Sequence, residues 1–170
     1  DVVLMHVCCH NPTGVDLSLQ QWDKVVEVAA SKGWTPFLDF AYQGFGDSLE
    51  EDRAVVEKFA AAGIDFLVAS SFSKNFGLYC ERTGALTIVS PTAEEAAVAM
   101  SHVKTIIRVN YSNPPAHGGL AANEVLDDAA LYNQWIGEVA EMRDRIKAMR
   151  EALVDGLARR GVEQDFSFIT

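Results

Sequence analysis

Apolar residues along the chain fall into short unbroken runs, separated by longer stretches in which they recur every three or four positions. The run "VVLMHV" ends in the turn residues of "CHNPTGVD" and predicts a buried strand followed by a loop. Ser18 with Gln21 forms a capping-box pattern, and Trp22, Val25, Val26, Ala29 and Ala30 share one helical face before Gly33 supplies a stop. "TPFLDF" is then a second strand, "YQGFGDS" a glycine-rich loop, Glu50 to Ala62 a helix stopped by Gly63, and "DFLVAS" a third strand. "RTGALTIV" adds a fourth strand, and Thr92 with Glu95 caps a helix that reaches about Val103.

Strands alternating with helices predict an α/β fold, a mostly parallel sheet sandwiched by helices with right-handed crossovers. After the break "RVNYSNPPAHGG", a long helix runs from about Ala129 to Arg160. Leu131, Trp135, Val139, Met142, Ile146, Met149, Leu153 and Leu157 recur along it at helical spacing, the pattern of a packing seam. Gly161 ends this helix, and "DFSFI" reads as a new strand. There is no internal repeat.

The composition is that of a globular protein, with 49% hydrophobic and 22% charged residues in 170. A formal net charge of -10 argues against nucleic acid and anionic membrane surfaces as partners. No apolar run approaches the roughly 18 residues of a membrane span, so a soluble chain is expected. Cys8, Cys9 and Cys80 are odd in number and lack metal-site spacing, and no HExxH is present, which points to a reducing compartment and away from a metal. The apolar pattern begins at Asp1 with no basic leader before it, as expected of a piece of a longer polypeptide.

In open parallel sheets ligands bind beyond the carboxyl ends of the strands. Those ends carry "CHNPTG", then Asp39 and Tyr42, then Ser71, Ser73 and Lys74. Taken singly, Asn11 and Gly14 make an ordinary turn, Asp39 could cap a backbone, and Lys74 or Arg82 could be a solvated cation. Taken together they suit one chemistry. A lysine in a partly apolar crevice loses hydration of its charged form and can attack a carbonyl as the free amine. Pyridoxal phosphate is an aldehyde of this kind, and it needs a carboxylate at its ring nitrogen, for which Asp39 could serve. Hydroxyl and guanidinium donors such as Ser71 and Arg82 suit its phosphate, and the phenol of Tyr42 suits its ring oxygen.

"HNPTG", "DFAYQGF", "SFSKNFGLYCER" and "RVNYSNPPAHG", in this order and spacing, closely resemble the aspartate aminotransferase group of class I pyridoxal phosphate enzymes. The resemblance covers essentially the whole chain. It implies that Lys74 is the Schiff-base lysine and proton shuttle, and that Asp39 pairs with the pyridinium nitrogen with His6 behind it. Tyr42 and Asn11 would bind the ring oxygen, Asn11 also lying near the substrate carboxylate, while Ser71 and Arg82 would hold the phosphate. Arg108 would reach into a neighbouring subunit and clamp the side-chain carboxylate of a dicarboxylic substrate, so a homodimer with shared sites is implied. Cys80 stands where the family often has asparagine.

The resemblance further implies residues 1–128 as part of the large cofactor-binding domain, 129–160 as a linking helix and 161–170 as the start of a small C-terminal domain. Family members are more than twice as long, with a small phosphate-binding loop, a ring-stacking aromatic residue and a carboxylate-binding arginine in the parts not seen here. This chain alone is therefore expected to be inactive, and the expected activity of the parent is transfer of the amino group of aspartate or glutamate to a 2-oxo acid. An aromatic or kynurenine aminotransferase of the same fold, or a non-catalytic binding module, are the alternatives. A cytoplasmic location is expected, with the mitochondrion left open.

Overall fold

A computed structural model describes residues 1–170. The chain alternates β1 (Val2–His6), α1 (Leu19–Lys32), β2 (Thr35–Phe40), α2 (Leu49–Ala61) and β3 (Phe66–Ser71). It continues through β4 (Gly84–Val89), α3 (Ala93–Asn110), α4 (Ala116–Asp127) and α5 (Ala129–Arg159). The four strands lie in sequence order, with β1, β2 and β3 parallel and β4 antiparallel to β3. The direction of β4 follows from its connection, because only a loop with one 3-10 turn at Tyr79–Glu81 joins it to β3, whereas a parallel neighbour needs a crossover element.

Helix starts are set locally. Ser18 accepts from Gln21 N while the Gln21 side chain accepts from Ser18 N, and Gly33 closes α1 at φ 66°. Thr92 accepts from Glu95 N to open α3. Both crossover helices lie on one face of the sheet, as crossovers of one hand stepping in one direction require. There Trp22 and Ala29 of α1 and Val55 and Phe59 of α2 bury against Leu38, Phe40, Phe66 and Val68. Trp22, Phe59, Phe66 and Leu38 are almost fully enclosed, each contributing about 1.5–3 kcal/mol of burial. Ala30, assigned to that face by spacing, is exposed.

The opposite face carries the in-register row Leu4, Phe37, Leu67 and Ile88, and at its β1 edge Val2 and Leu4 are 64% and 61% exposed. One turn further along, His6, Asp39 and Ala69 occupy neighbouring register positions, so His6 and Asp39 share this face. Ser71, two residues beyond Ala69, lies on it as well.

Three elements depart from the sequence reading. α3 continues to Asn110, which places Arg108 inside the helix. α4 forms within the "PPAHGG" break: Pro115 occupies its N-cap, and a Cβ on Gly118 would collide with Thr83. "DFSFI" is not a strand, because Ser167–Ile169 closes into a 3-10 turn. The apolar stripe of α5 divides. Trp135 stacks on Phe76 with centroids 4.4 Å apart and Val139 is buried, whereas Met142, Ile146, Met149 and Leu153 remain exposed along a cavity. No helix is long and apolar enough to cross a membrane.

Candidate active site

Three loops leave the carboxyl ends of β1, β2 and β3 side by side. In the first, the two oxygens of Asp16 accept from Cys9 N at 2.6 Å and His10 N at 2.8 Å, and His10 Nδ1 meets Thr13 Oγ1 at 2.6 Å. Gly14, at φ 69°, donates back to the His10 carbonyl and closes the turn. Asn11 is therefore presented at the tip of a loop tied down on both flanks. In the second loop, Asp39 Oδ1 accepts from Ala41 N at 3.0 Å, which fixes the turn leading to Tyr42. His6 Nε2 lies 3.8 Å from Asp39 Oδ2, and His6 Nδ1 is buried without a partner. The third loop carries Lys74 between two buried residues, Ser73 and Asn75.

These loops and α5 border an open cavity of about 830 Å³, within the size range of small-molecule sites. Asn11, Tyr42 and Lys74 all line it, with Cys9 and His10 beside them and Met142, Arg145, Ile146 and Arg150 on the α5 wall. Lys74 Nζ sits 4.8 Å from the centre of the Tyr42 ring, in cation-π contact. No carboxylate pairs with this ammonium group. An amine without a counter-ion that opens onto a cavity can meet an electrophile there.

Of the other residues singled out by sequence, Asp39 and Ser71 lie at the same end of the sheet but are not part of the cavity wall. Ser71 Oγ accepts from Ser73 N at 3.2 Å. Arg82 is exposed at φ 52° and donates to the Tyr79 carbonyl at 2.9 Å. Arg108 is also exposed, is not part of the cavity wall, and donates to Ser112 Oγ at 2.5 Å. An amine, a phenol and an amide around one cavity, with a carboxylate on the adjacent strand, form a donor set compatible with pyridoxal phosphate.

Two supporting residues escaped the sequence reading. Asp52, in the first turn of α2, is 7% exposed and binds the second loop through its backbone amides. Asn75 Nδ2 donates to the Gln43 carbonyl at 3.2 Å, joining the second and third loops, and Trp135 Nε1 donates to the Asn75 carbonyl at 2.7 Å, joining α5 to them. Acidic residues in "LEED" suit any helix start, so the tertiary role of Asp52 left no local mark. Cys8 and Cys9 shift each other's thiols in opposite directions. The hydrogen bond with Cys9, burial and the nearby Asp52 push the Cys8 thiol well above its usual range. The same hydrogen bond, helped by Arg150, lowers Cys9.

The family described as aminotransferase class I and II matches residues 1–170. The aspartate aminotransferase of Pseudomonas aeruginosa is 54% identical over 168 residues, which is 99% of this chain and 42% of that protein. The aromatic-amino-acid aminotransferase of Escherichia coli is 46% identical over 168 residues, again 99% of this chain and 42% of the relative. Among solved structures, an aromatic-amino-acid aminotransferase from Burkholderia pseudomallei, covalently bound to pyridoxal phosphate, superposes with a TM-score of 0.94 at 55% identity. That match covers 99% of this chain and 42% of that one. The chain thus spans about two fifths of the length of the relatives it matches. With a match along its full length, it belongs to the class I and II aminotransferase family.

Proposed function

We propose that the polypeptide carrying this chain is an aminotransferase that moves the amino group of aspartate or glutamate to a 2-oxo acid, with pyridoxal phosphate attached covalently at Lys74. The observation that carries this reading is the Lys74 ammonium group, free of any carboxylate, held over Tyr42 and open to a cavity that Asn11 also lines. Pyridoxal phosphate supplies an aldehyde that condenses with amines and a protonated ring that draws electrons from the substrate α-carbon. Lys74 Nζ would bind the group, and the same amine is placed to hold or move a proton at the substrate α-carbon. The Asp39 carboxylate would hold the ring nitrogen in its protonated form, with His6 behind it on the same face. Tyr42 Oη and the Asn11 amide would donate to the ring oxygen, and Ser71 Oγ and the Arg82 guanidinium would hold the phosphate.

Arg108 lies on α3, exposed and outside this chain's cavity, a position compatible with service in the site of a second subunit. In a homodimer of that kind, its guanidinium would favour a dicarboxylic substrate, because a buried cation facing a neutral side chain is left unpaired. Residues 1–128 would then belong to the cofactor-binding domain, 129–160 to the linking helix and 161–170 to the small domain. A second reading, an aromatic aminotransferase, is favoured by the apolar wall of Phe45, Met142, Ile146, Met149 and Leu153. Steady-state rates with aspartate and phenylalanine separate the two. Arg108→Ala should lower kcat/KM for aspartate by about 10²-fold, the loss of a charge-assisted pair, and leave phenylalanine nearly unchanged. Little loss with aspartate would remove the dicarboxylate assignment.

A further inference from the structure

We propose that Asp52 is a positioning residue that sets Tyr42 against Lys74 by holding the loop after β2 around a buried anion. The inference rests on the functional reading above. Asp52 has no lysine, arginine or histidine partner within ion-pair distance. Its charge is instead met by donors: Oδ2 accepts from Gly44 N at 2.8 Å and Gly46 N at 3.2 Å, and Oδ1 from Asp47 N at 2.9 Å. The Cys8 thiol adds a contact to Oδ2 at 3.6 Å.

The glycines of "QGFGD" are what allow this wrapping. A Cβ at Gly46 would strike Asp52 Oδ1, and one at Gly44 would lie 2.7 Å from Val139 Cγ1. The main chain at Tyr42 is then held from both sides. Its carbonyl accepts from Phe45 N at 3.0 Å and from Cys8 Sγ at 3.5 Å, while the next carbonyl, Gln43, accepts from Asn75 Nδ2. Cys8 leads into the loop that bears Asn11, and Asn75 follows Lys74. One buried carboxylate therefore registers three loops whose side chains meet at the cavity. Without it, Gly44, Gly46 and Asp47 would lose their acceptors, and nothing in the loop itself would replace them.

The test uses the full polypeptide loaded with pyridoxal phosphate and reads the pH midpoint of the bound cofactor's visible absorption band. A phenol that donates to the ring oxygen favours the deprotonated form, so loss of Tyr42 contact moves the midpoint upward. Asp52→Ala should shift it upward by at least half the shift given by Tyr42→Phe, and the Asp52→Ala, Tyr42→Phe double variant should titrate like Tyr42→Phe alone. Cys9, His10, Tyr79, Arg145 and Arg150 also face the cavity, and the comparison with Tyr42→Phe separates the tyrosine from them. Asp52→Asn, which keeps one carbonyl acceptor, should fall between wild type and Asp52→Ala and serves if the alanine variant does not fold. A lower melting temperature with an unchanged midpoint would reduce Asp52 to a structural residue and overturn the proposal, as would additive shifts in the double variant. Absence of the band in the wild-type protein would instead sink the functional reading itself.

Discussion

Trp135 is where α5 grips the loop that carries Lys74, and its two interactions can be removed one at a time. The indole stacks on Phe76 at 4.4 Å with an interplanar angle of 24°, and Nε1 donates to the Asn75 carbonyl at 2.7 Å. Trp135→Phe retains an aromatic ring at the stack and deletes the donor, leaving that carbonyl without its indole partner, at a cost of about 1–2 kcal/mol. Trp135→Ala removes the ring as well. The aromatic pair adds about 0.5–1.5 kcal/mol beyond area, and the half-buried site puts the total loss near 3 kcal/mol, the low end for a large-to-small change. Urea unfolding followed by circular dichroism gives both values, provided the dependence on denaturant stays constant. Amide exchange adds the local reading. The N–H groups of Gly77 and Leu78, which close onto the Lys74 and Phe72 carbonyls, should exchange faster in both variants. Equal losses for Phe and Ala would refute the contribution of the stack, and a Phe variant within the roughly 0.5 kcal/mol scatter of surface substitutions would refute that of the hydrogen bond.

Gly44→Ala meets both a φ of 96° and Val139 Cγ1 at 2.7 Å, so it should cost about 2–4 kcal/mol. Gly14→Ala, at φ 69° with open space around it, should cost only about 1–2 kcal/mol, and denaturation curves of the two check the difference. The Cys8 and Cys9 pair predicts a pH signature. Cys8, raised in the fold, contributes stability below the ordinary thiol pKa of about 8.5 and loses it as pH rises above that value, with a slope of at most about 1.4 kcal/mol per pH unit. Cys9, lowered, contributes above the ordinary value and loses its share as pH falls through its depressed pKa. The pair's contribution should therefore peak near the ordinary thiol pKa, and melting curves of the wild type and Cys8→Ala between neutral and alkaline pH would reveal it. Iodoacetamide should modify Cys9 below the pH at which a free thiol reacts and leave buried Cys8 untouched in the native state, which peptide mapping can establish.

Most elements carry a local signal in the sequence, and those that do not share a cause. Capping residues act over three positions, so Ser18 and Thr92 mark their helices in the sequence alone. The buried strands were legible because apolar runs of that length, bounded by turn residues, have few other uses. α4 was hidden because prolines and glycines normally break structure. Here Pro115 precedes the helix, and Gly118 is small for the sake of Thr83, a contact made only in the folded chain. "DFSFI" alternates like a strand yet has no ladder partner among these residues. The candidate site divides in the same way. Lys74, Tyr42 and Asn11 could be placed at one cavity because strand ends in a parallel sheet converge. Asp52 and Asn75 could not, because their hydrogen bonds join residues distant in sequence and leave no local period or motif.

The central claim concerns one nitrogen atom, and borohydride can fix its chemistry. The polypeptide carrying this chain, incubated with pyridoxal phosphate, reduced and digested, should yield the cofactor's mass on the peptide that contains Lys74 and on no other, and Lys74→Ala should abolish both the label and the visible band. A label spread over Lys24, Lys104 or Lys147, or a wild-type protein that takes up none, would contradict the account.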